Sequence, residues 1–228
     1  MSDGRGDRRS DWQGDEPGDG PAADPPRRRA DRTPRQRLDA RTRRAAILDA
    51  ATEAFSRAPY PEVRMTDVAA RVGGSPALLF RYYGSKAELY AAVLDVLLRE
   101  VAAGREAAVA ALPPGTPRRE RLRVGLDVYL DHVAANPRAA TGQLLGGEEP
   151  PEALAVRAEA RAAELTQLRA LLAANDWPRH DFALHGYLGF VDYTALAWVQ
   201  AGCPDDRRSP LVDAALGALE GALGDWGG

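Results

Sequence analysis

The chain of 228 residues holds one cysteine, Cys203, and one lysine, Lys86. A lone cysteine excludes an internal disulfide framework and any multi-thiolate metal site. No uncharged apolar run approaches the roughly 18 residues needed to cross a bilayer, which argues against a membrane partner. The first residues lack the apolar core of a secretory leader, so the expectation is a soluble, cytoplasmic protein in a reducing compartment. No stretch sustains apolar–polar alternation with β-branched residues, which argues against strands. What is present is a 45% hydrophobic content, enough for a sizeable core and too much for a wholly disordered chain.

The other 29 of the 30 basic residues are arginines, and the formal net charge is −3. That figure averages unlike segments. Residues 1–26 carry −4, residues 27–89 carry +7, and residues 90–228 carry −6. A basic segment followed by a larger acidic one suggests that only one part meets a polyanion. Residues 1–32 are rich in Gly, Pro, Asp and Arg, with Trp12 the only large apolar side chain, so ordering them would bury almost nothing. They read as a disordered arm. Its closing arginines, Arg27, Arg28, Arg29 and Arg32, suit DNA phosphates or a minor groove, and equally a solubilising tail.

Four Ser/Thr-Pro pairs read as helix starts: Thr33-Pro34, Ser75-Pro76, Thr116-Pro117 and Ser209-Pro210. Each offers an N-cap oxygen followed by proline at the first helical position, where a missing N–H costs nothing. Thr33 with Gln36 and Ser85 with Glu88 add capping-box spacing. Alanine-rich runs with helical apolar spacing follow. They predict helices over about 34–57, 66–72, 76–82, 86–112, 117–135, 138–146, 151–174, 179–202 and 210–225.

The two short helices around Gly73-Gly74 are the informative feature. Ala69 lets two helices approach, Gly73 makes a turn, and Leu79 anchors the second helix six residues later, which is helix-turn-helix spacing. Pro76, Ala77, Leu78 and Arg81 would then face a DNA groove. An ordinary helical hairpin has the same spacing.

The residues decide between them. Thr66-Asp67-Val68-Ala69 through Gly73, followed by SPALLFRYYGSKAEL at 75–89, resembles the DNA-binding domain of the tetracycline-repressor (TetR) family of bacterial regulators. Ala46-Ile47-Leu48-Asp49-Ala50-Ala51 and Phe55 fit that family's first helix. The resemblance implies an all-α fold: an N-terminal three-helix domain with the helix-turn-helix at 33–90, and a C-terminal helical bundle at 91–228 that dimerises and encloses an effector pocket. It implies a double-stranded operator, a homodimeric partner, a small-molecule effector, and no cofactor or metal. The expected DNA-contacting residues are Arg41, Arg44, Thr66, Ser75, Pro76, Ala77, Leu78, Arg81, Tyr82 and Lys86. Thr66 would cap the second helix against a phosphate, Tyr82 would face the DNA backbone, Tyr83 would anchor the third helix, and Lys86 would meet a phosphate. A lysine there adds a charge to the N–H groups and positive dipole end of a helix start. Two positions depart from the family pattern. Phe80 lacks the usual hydroxyl, and Leu78 cannot hydrogen-bond a base edge, which leaves Arg81 for direct readout. The function implied is a ligand-released repressor; the alternative is a TetR-like sensor with weak or lost DNA binding.

In the acidic half, the helix from Phe182 to Gln200 is apolar all round, and Ala214 to Leu223 has a small-and-leucine face. These two segments are the expected dimer interface. Tyr129, His132, Gln143, Tyr193 and Trp198 are pocket candidates, being amphipathic groups on apolar helices. An enzyme finds little support. His180 and His185 have the wrong spacing for two ligands on one helix face, and Cys203 has no charged activator beside it. Glu148 and Glu149 read as solvated loop charges.

Overall fold

The structure is a computed structural model that describes residues 34–137 and 149–224. The N-terminal arm, the Thr33 cap, the helix expected at 138–146 and the pocket candidate Gln143 lie outside the described residues. Among those described there are eight α-helices, one turn of 3-10 helix at Tyr60–Glu62, and no strand. The helices are α1 (Pro34–Arg57), α2 (Met65–Arg71), α3 (Pro76–Tyr83), α4 (Lys86–Ala110), α5 (Arg118–Ala135), α6 (Pro151–Leu172), α7 (Pro178–Gln200) and α8 (Asp205–Leu223).

Two apolar cores stack along α4. Ile47, Ala51 and Phe55 of α1 meet Val68 and Ala69 of α2, Leu79 and Tyr83 of α3, and Leu89 and Val93 of α4. Each large side chain buried this way contributes about 1.5–3 kcal/mol. The second core joins α5 to α8 through Leu126, Leu130, Leu184, Leu216 and Leu219, all nearly inaccessible to solvent. The 25-residue α4 packs on α1 and α3 at its start and on α5 and α6 beyond, so it passes from the neighbourhood of one core to the other.

The caps separate real helix starts from apparent ones. Ser75 Oγ accepts from the Leu78 N–H at 3.4 Å, and Ser85 Oγ from the Glu88 N–H at 3.0 Å, as their sequence patterns predict. Thr116 does not cap: its hydroxyl donates to the Pro113 carbonyl at 2.7 Å inside a tight turn, and α5 begins at Arg118 behind Pro117. Ser209-Pro210 is not a start either. α8 begins at Asp205, where Asp205 and Asp206 favour the positive end of the helix, and Pro210 lies inside it. A proline in the second turn forfeits one intrahelical bond near the end of the ladder, which is the least disruptive interior site for it.

Candidate nucleic-acid interface and internal cavity

α2 and α3 are joined by Gly73, whose φ of +62° is left-handed backbone, and by Gly74, where a Cβ would stand 2.8 Å from Leu78 Cδ2. Gly73 is favoured by its conformation, whereas a side chain at Gly74 would only have to displace the flexible end of Leu78. Leu79 and Tyr83 turn inward and fix the pose of α3. Ala77, Phe80 and Arg81 are exposed on it, while Pro76, Leu78 and Tyr82 are half-buried. Phe80 keeps 40% of its surface open, a large apolar ring on an otherwise presented face. Ser75 is exposed as the N-cap of α3, and Arg41 is exposed on α1. Thr66 does not cap α2: that helix begins at Met65 behind Arg64, and the exposed Thr66 hydroxyl donates to Asp67 Oδ1 at 3.3 Å.

Three basic side chains brace this unit from within. Arg43 Nη1 donates to the Val72 carbonyl at 3.3 Å and Arg44 Nη1 to the Tyr82 carbonyl at 2.9 Å. These are carbonyls at the C-terminal ends of α2 and α3, where intrahelical donors run out and positive charge is favoured. Arg44 also lies 4.4 Å over the Tyr83 ring, and the Tyr83 hydroxyl returns a hydrogen bond to the Arg44 carbonyl at 3.0 Å. Lys86 stands at the first position of α4, as expected. Its ammonium donates to the Pro61 carbonyl at 3.2 Å and lies 4.5 Å over the Tyr60 ring, and partial burial lowers its pKa. The bracing role of Arg43 is not marked in the sequence, because nothing local distinguishes it from its arginine neighbours.

Behind this unit lies a cavity of about 580 Å³, walled by the end of α1, the Tyr60 turn, α4, α5, α6 and one residue of α7, Asp192. Tyr90 of α4 packs at a tilt against Phe55 and Tyr60, at ring separations of 4.7 and 5.0 Å. Its hydroxyl donates to Glu149 at 2.7 Å, and Arg157 closes on the same carboxylate with two bonds of 2.7 Å. Burial acts to raise the Glu149 pKa, but the hydrogen bonds from Arg157 and Tyr90 win and hold it below the usual range. Burial and the neighbouring carboxylate push the Tyr90 phenol up, so it remains a donor.

At the other end of the cavity Arg105 pairs with Glu164 and lies 5.0 Å over the Tyr129 ring. Asp192 accepts from Tyr129 at 3.0 Å and pairs with Arg161. His132, also in the wall, has its pKa lowered by burial, which outweighs the opposing charge of Glu100 and is aided by that of Arg105.

Of the expected pocket residues, Tyr129 and His132 line this cavity. Tyr193 and Trp198 do not. Tyr193 is 72% exposed on the outer face of α7, and Trp198 is buried in the second core with its indole N–H on the Pro204 carbonyl at 2.9 Å. Glu149, read from sequence as a solvated charge, is instead nearly buried within its ion pair. The groups that sequence reasoning missed are Tyr90, Arg105, Arg157, Arg161, Glu164 and Asp192. Cys203 occupies a turn with φ +53°, and burial raises its pKa, as suits an unactivated thiol.

The family model for bacterial regulatory proteins of the tetR family matches residues 47–93, from mid-α1 into α4. The transcriptional regulator BetI of Rhizobium meliloti is 33% identical over 144 residues, covering 60% of this chain and 70% of BetI. This chain belongs to the tetR family. The model's span takes in every expected DNA-contacting residue except Arg41 and Arg44. A second tetR-like relative, the transcriptional activator FasR of Mycolicibacterium smegmatis, is 34% identical over 106 residues, and the chain spans 45% of its length. A tetR-family regulator from Streptomyces coelicolor superposes with a TM-score of 0.64 at 23% identity, covering 80% of this chain and 79% of that one. It shows the shared fold well beyond the matched helix-turn-helix. Members of the tetR family are bacterial regulatory proteins rather than enzymes, and no group of described residues here could hold a metal ion.

Proposed function

We propose that this tetR-family protein is a cytoplasmic repressor that binds a palindromic operator as a homodimer and is released by a small molecule held in the internal cavity. The observation that carries the reading is the face of α3. Leu79 and Tyr83 lock the helix inward, while Arg81 stands exposed with no ion-pair partner among the described residues. An unneutralised guanidinium on a presented helix is what base-edge or phosphate recognition requires. The effector role rests on where the cavity lies. Phe55 and Tyr60 of the basic unit form part of its wall, so an occupant touches the unit that would hold DNA.

Homodimerisation is supported by an uncovered face of α7 and α8. Gly186, Gly189, Gly217 and Gly221 are exposed, and a Cβ on any of them would meet nothing in the chain. Interior helix glycines destabilise a helix by about 0.5–1 kcal/mol each, so four that the monomer does not need point to close approach by a second copy. Phe182 and Tyr193, 75% and 72% exposed, flank them. A two-fold dimer would present two copies of α3 to a palindrome. Light scattering at micromolar concentration should report a dimer.

Phe80 and Leu78 favour a second reading, a sensor with weak or lost DNA binding, because neither donates a hydrogen bond to DNA. The test is a mobility shift on DNA from beside the protein's own gene across a salt series, with a promoter reporter in a strain lacking the protein to fix the sign. A complex that weakens steeply with salt supports the regulator; no shift even at low salt installs the sensor in its place.

A further inference from the structure

The side chains that α3 turns outward are mostly apolar. Leu79 and Tyr83 are buried, which leaves Pro76, Ala77, Leu78, Phe80, Arg81 and Tyr82 fully or partly open to solvent. The first four of these carry no side-chain hydrogen-bonding group. Leu78 is half-buried, and its Cδ2 lies against Gly74 in the turn. Ala77, Phe80 and Arg81 are fully exposed, and at i, i+3 and i+4 they share one face of the helix. Phe80 is the only exposed large hydrophobic side chain among the described ones of α1 to α5. A single exposed ring on a surface that meets only water would need no explanation. This one stands one turn from Ala77 and beside Arg81, on a helix whose pose is fixed by Leu79 and Tyr83.

The chemistry of a DNA groove limits what such a face can recognise. A phenyl ring has neither charge nor donor, so it cannot hold a phosphate. On the base edges of the major groove every recognition group is a hydrogen-bond donor or acceptor except one, the C5 methyl of thymine. Arg81 can satisfy the acceptors of one base by hydrogen bonds, whereas Ala77 and Phe80 can match only that methyl group.

We propose that Phe80 is a specificity-determining residue. Its ring, with the Ala77 methyl one turn away, takes the C5 methyl of a thymine in the major groove, close to the base that Arg81 reads. The loss of a hydroxyl at this position then changes what α3 selects rather than removing its hold on DNA. This inference rests on the proposed binding of DNA through α3 and adds the base that the helix prefers.

The test uses duplexes that the full-length protein selects from a random pool, made again with each thymine in turn replaced by deoxyuridine. The exchange removes one methyl group and leaves base pairing and phosphates as they were. Fluorescence anisotropy should show affinity falling about fourfold at one or more thymines of a half-site, the worth of one buried methyl group. That ratio should hold across a salt series, because no phosphate contact changes. Phe80→Ala should weaken binding to the thymine duplex and bring its ratio to the uracil duplex close to one. A ratio below about twofold at every thymine overturns the proposal. So do selected duplexes with no recurring thymine, or a Phe80→Ala variant that keeps the parent's ratio. If that variant does not fold, the deoxyuridine series on the unaltered protein decides alone. A protein that enriches no sequence and shifts no DNA at low salt removes both the regulator and this inference. One that enriches a sequence but ignores its thymine methyls removes this inference alone.

Discussion

Two sets of basic side chains toward the two ends of α4 are used in opposite ways. The division is not complete: Glu53 also pairs with Arg57 and Arg71 in the first region, and Arg179 closes on backbone carbonyls in the second. Around α1 to α3, Arg43, Arg44 and Lys86 close on backbone carbonyls, and Arg44 and Lys86 also lie over tyrosine rings. Around α5 to α8, Arg105, Arg157, Arg161 and Arg208 close on carboxylates. A guanidinium on a carbonyl keeps its whole charge, whereas one on a carboxylate is cancelled at short range. The same residue type therefore leaves its charge uncancelled in one region and locks helices together through ion pairs in the other. The near-neutral net charge arises separately, from a basic segment at 27–89 set against acidic segments on either side of it.

The largest effect should come from the neutralised region. Arg157→Ala leaves Glu149 buried without its partner and should cost about 3 kcal/mol in chemical denaturation near neutral pH. The pH dependence has a definite sign. Glu149 titrates below its ordinary value of 4.5 in the folded protein, so its contribution is present above that value and is lost as pH falls through the depressed one. The gap between variant and parent should shrink below about pH 4.5. A gap that is flat with pH would mean that Arg157 acts by packing alone.

Arg81→Ala comes next and acts on DNA rather than on stability. It should relax specificity at one or two base pairs, each costing roughly 1–3 kcal/mol, as read by competition with single-base operator variants. Lys86→Ala should be milder and uniform across sequences, lowering the slope of log affinity against log salt by about 1. Arg208→Ala, in the neutralised region, should leave that slope unchanged; an equal drop would break the contrast between the two regions. The smallest effect is expected of Ser75→Ala, which removes one long cap bond and should cost no more than about 1 kcal/mol in thermal unfolding.

The helix-turn-helix was legible because everything that makes it is local. Its turn glycines, its Ser75 and Ser85 caps and its Leu79 anchor lie within a dozen residues, at spacings set by helix geometry. The cavity was not, because its pairs bridge distant segments. Tyr90 meets Glu149, and Arg105 meets Glu164, each across 59 positions. Periodicity marks which face of a helix is apolar but not which neighbour covers it. Tyr193 and Trp198 therefore looked alike in sequence and ended on opposite sides of α7, one outward and one in the core. Pro210 misled for a related reason. A proline after serine marks a helix start only when the preceding residues cannot begin the helix first, and Asp205-Asp206 could.

Lys86 also gives the protein a chemical address. Apart from the chain's own α-amine, it is the one aliphatic amine an acylating reagent can find, and burial lowers its pKa, which enlarges the reactive neutral fraction. A covalent tag placed there would sit at the junction of the Tyr60 turn and α4, beside the aromatic wall of the cavity. One fluorophore, attached without cysteine engineering, would then report from the seam between the two halves of the molecule.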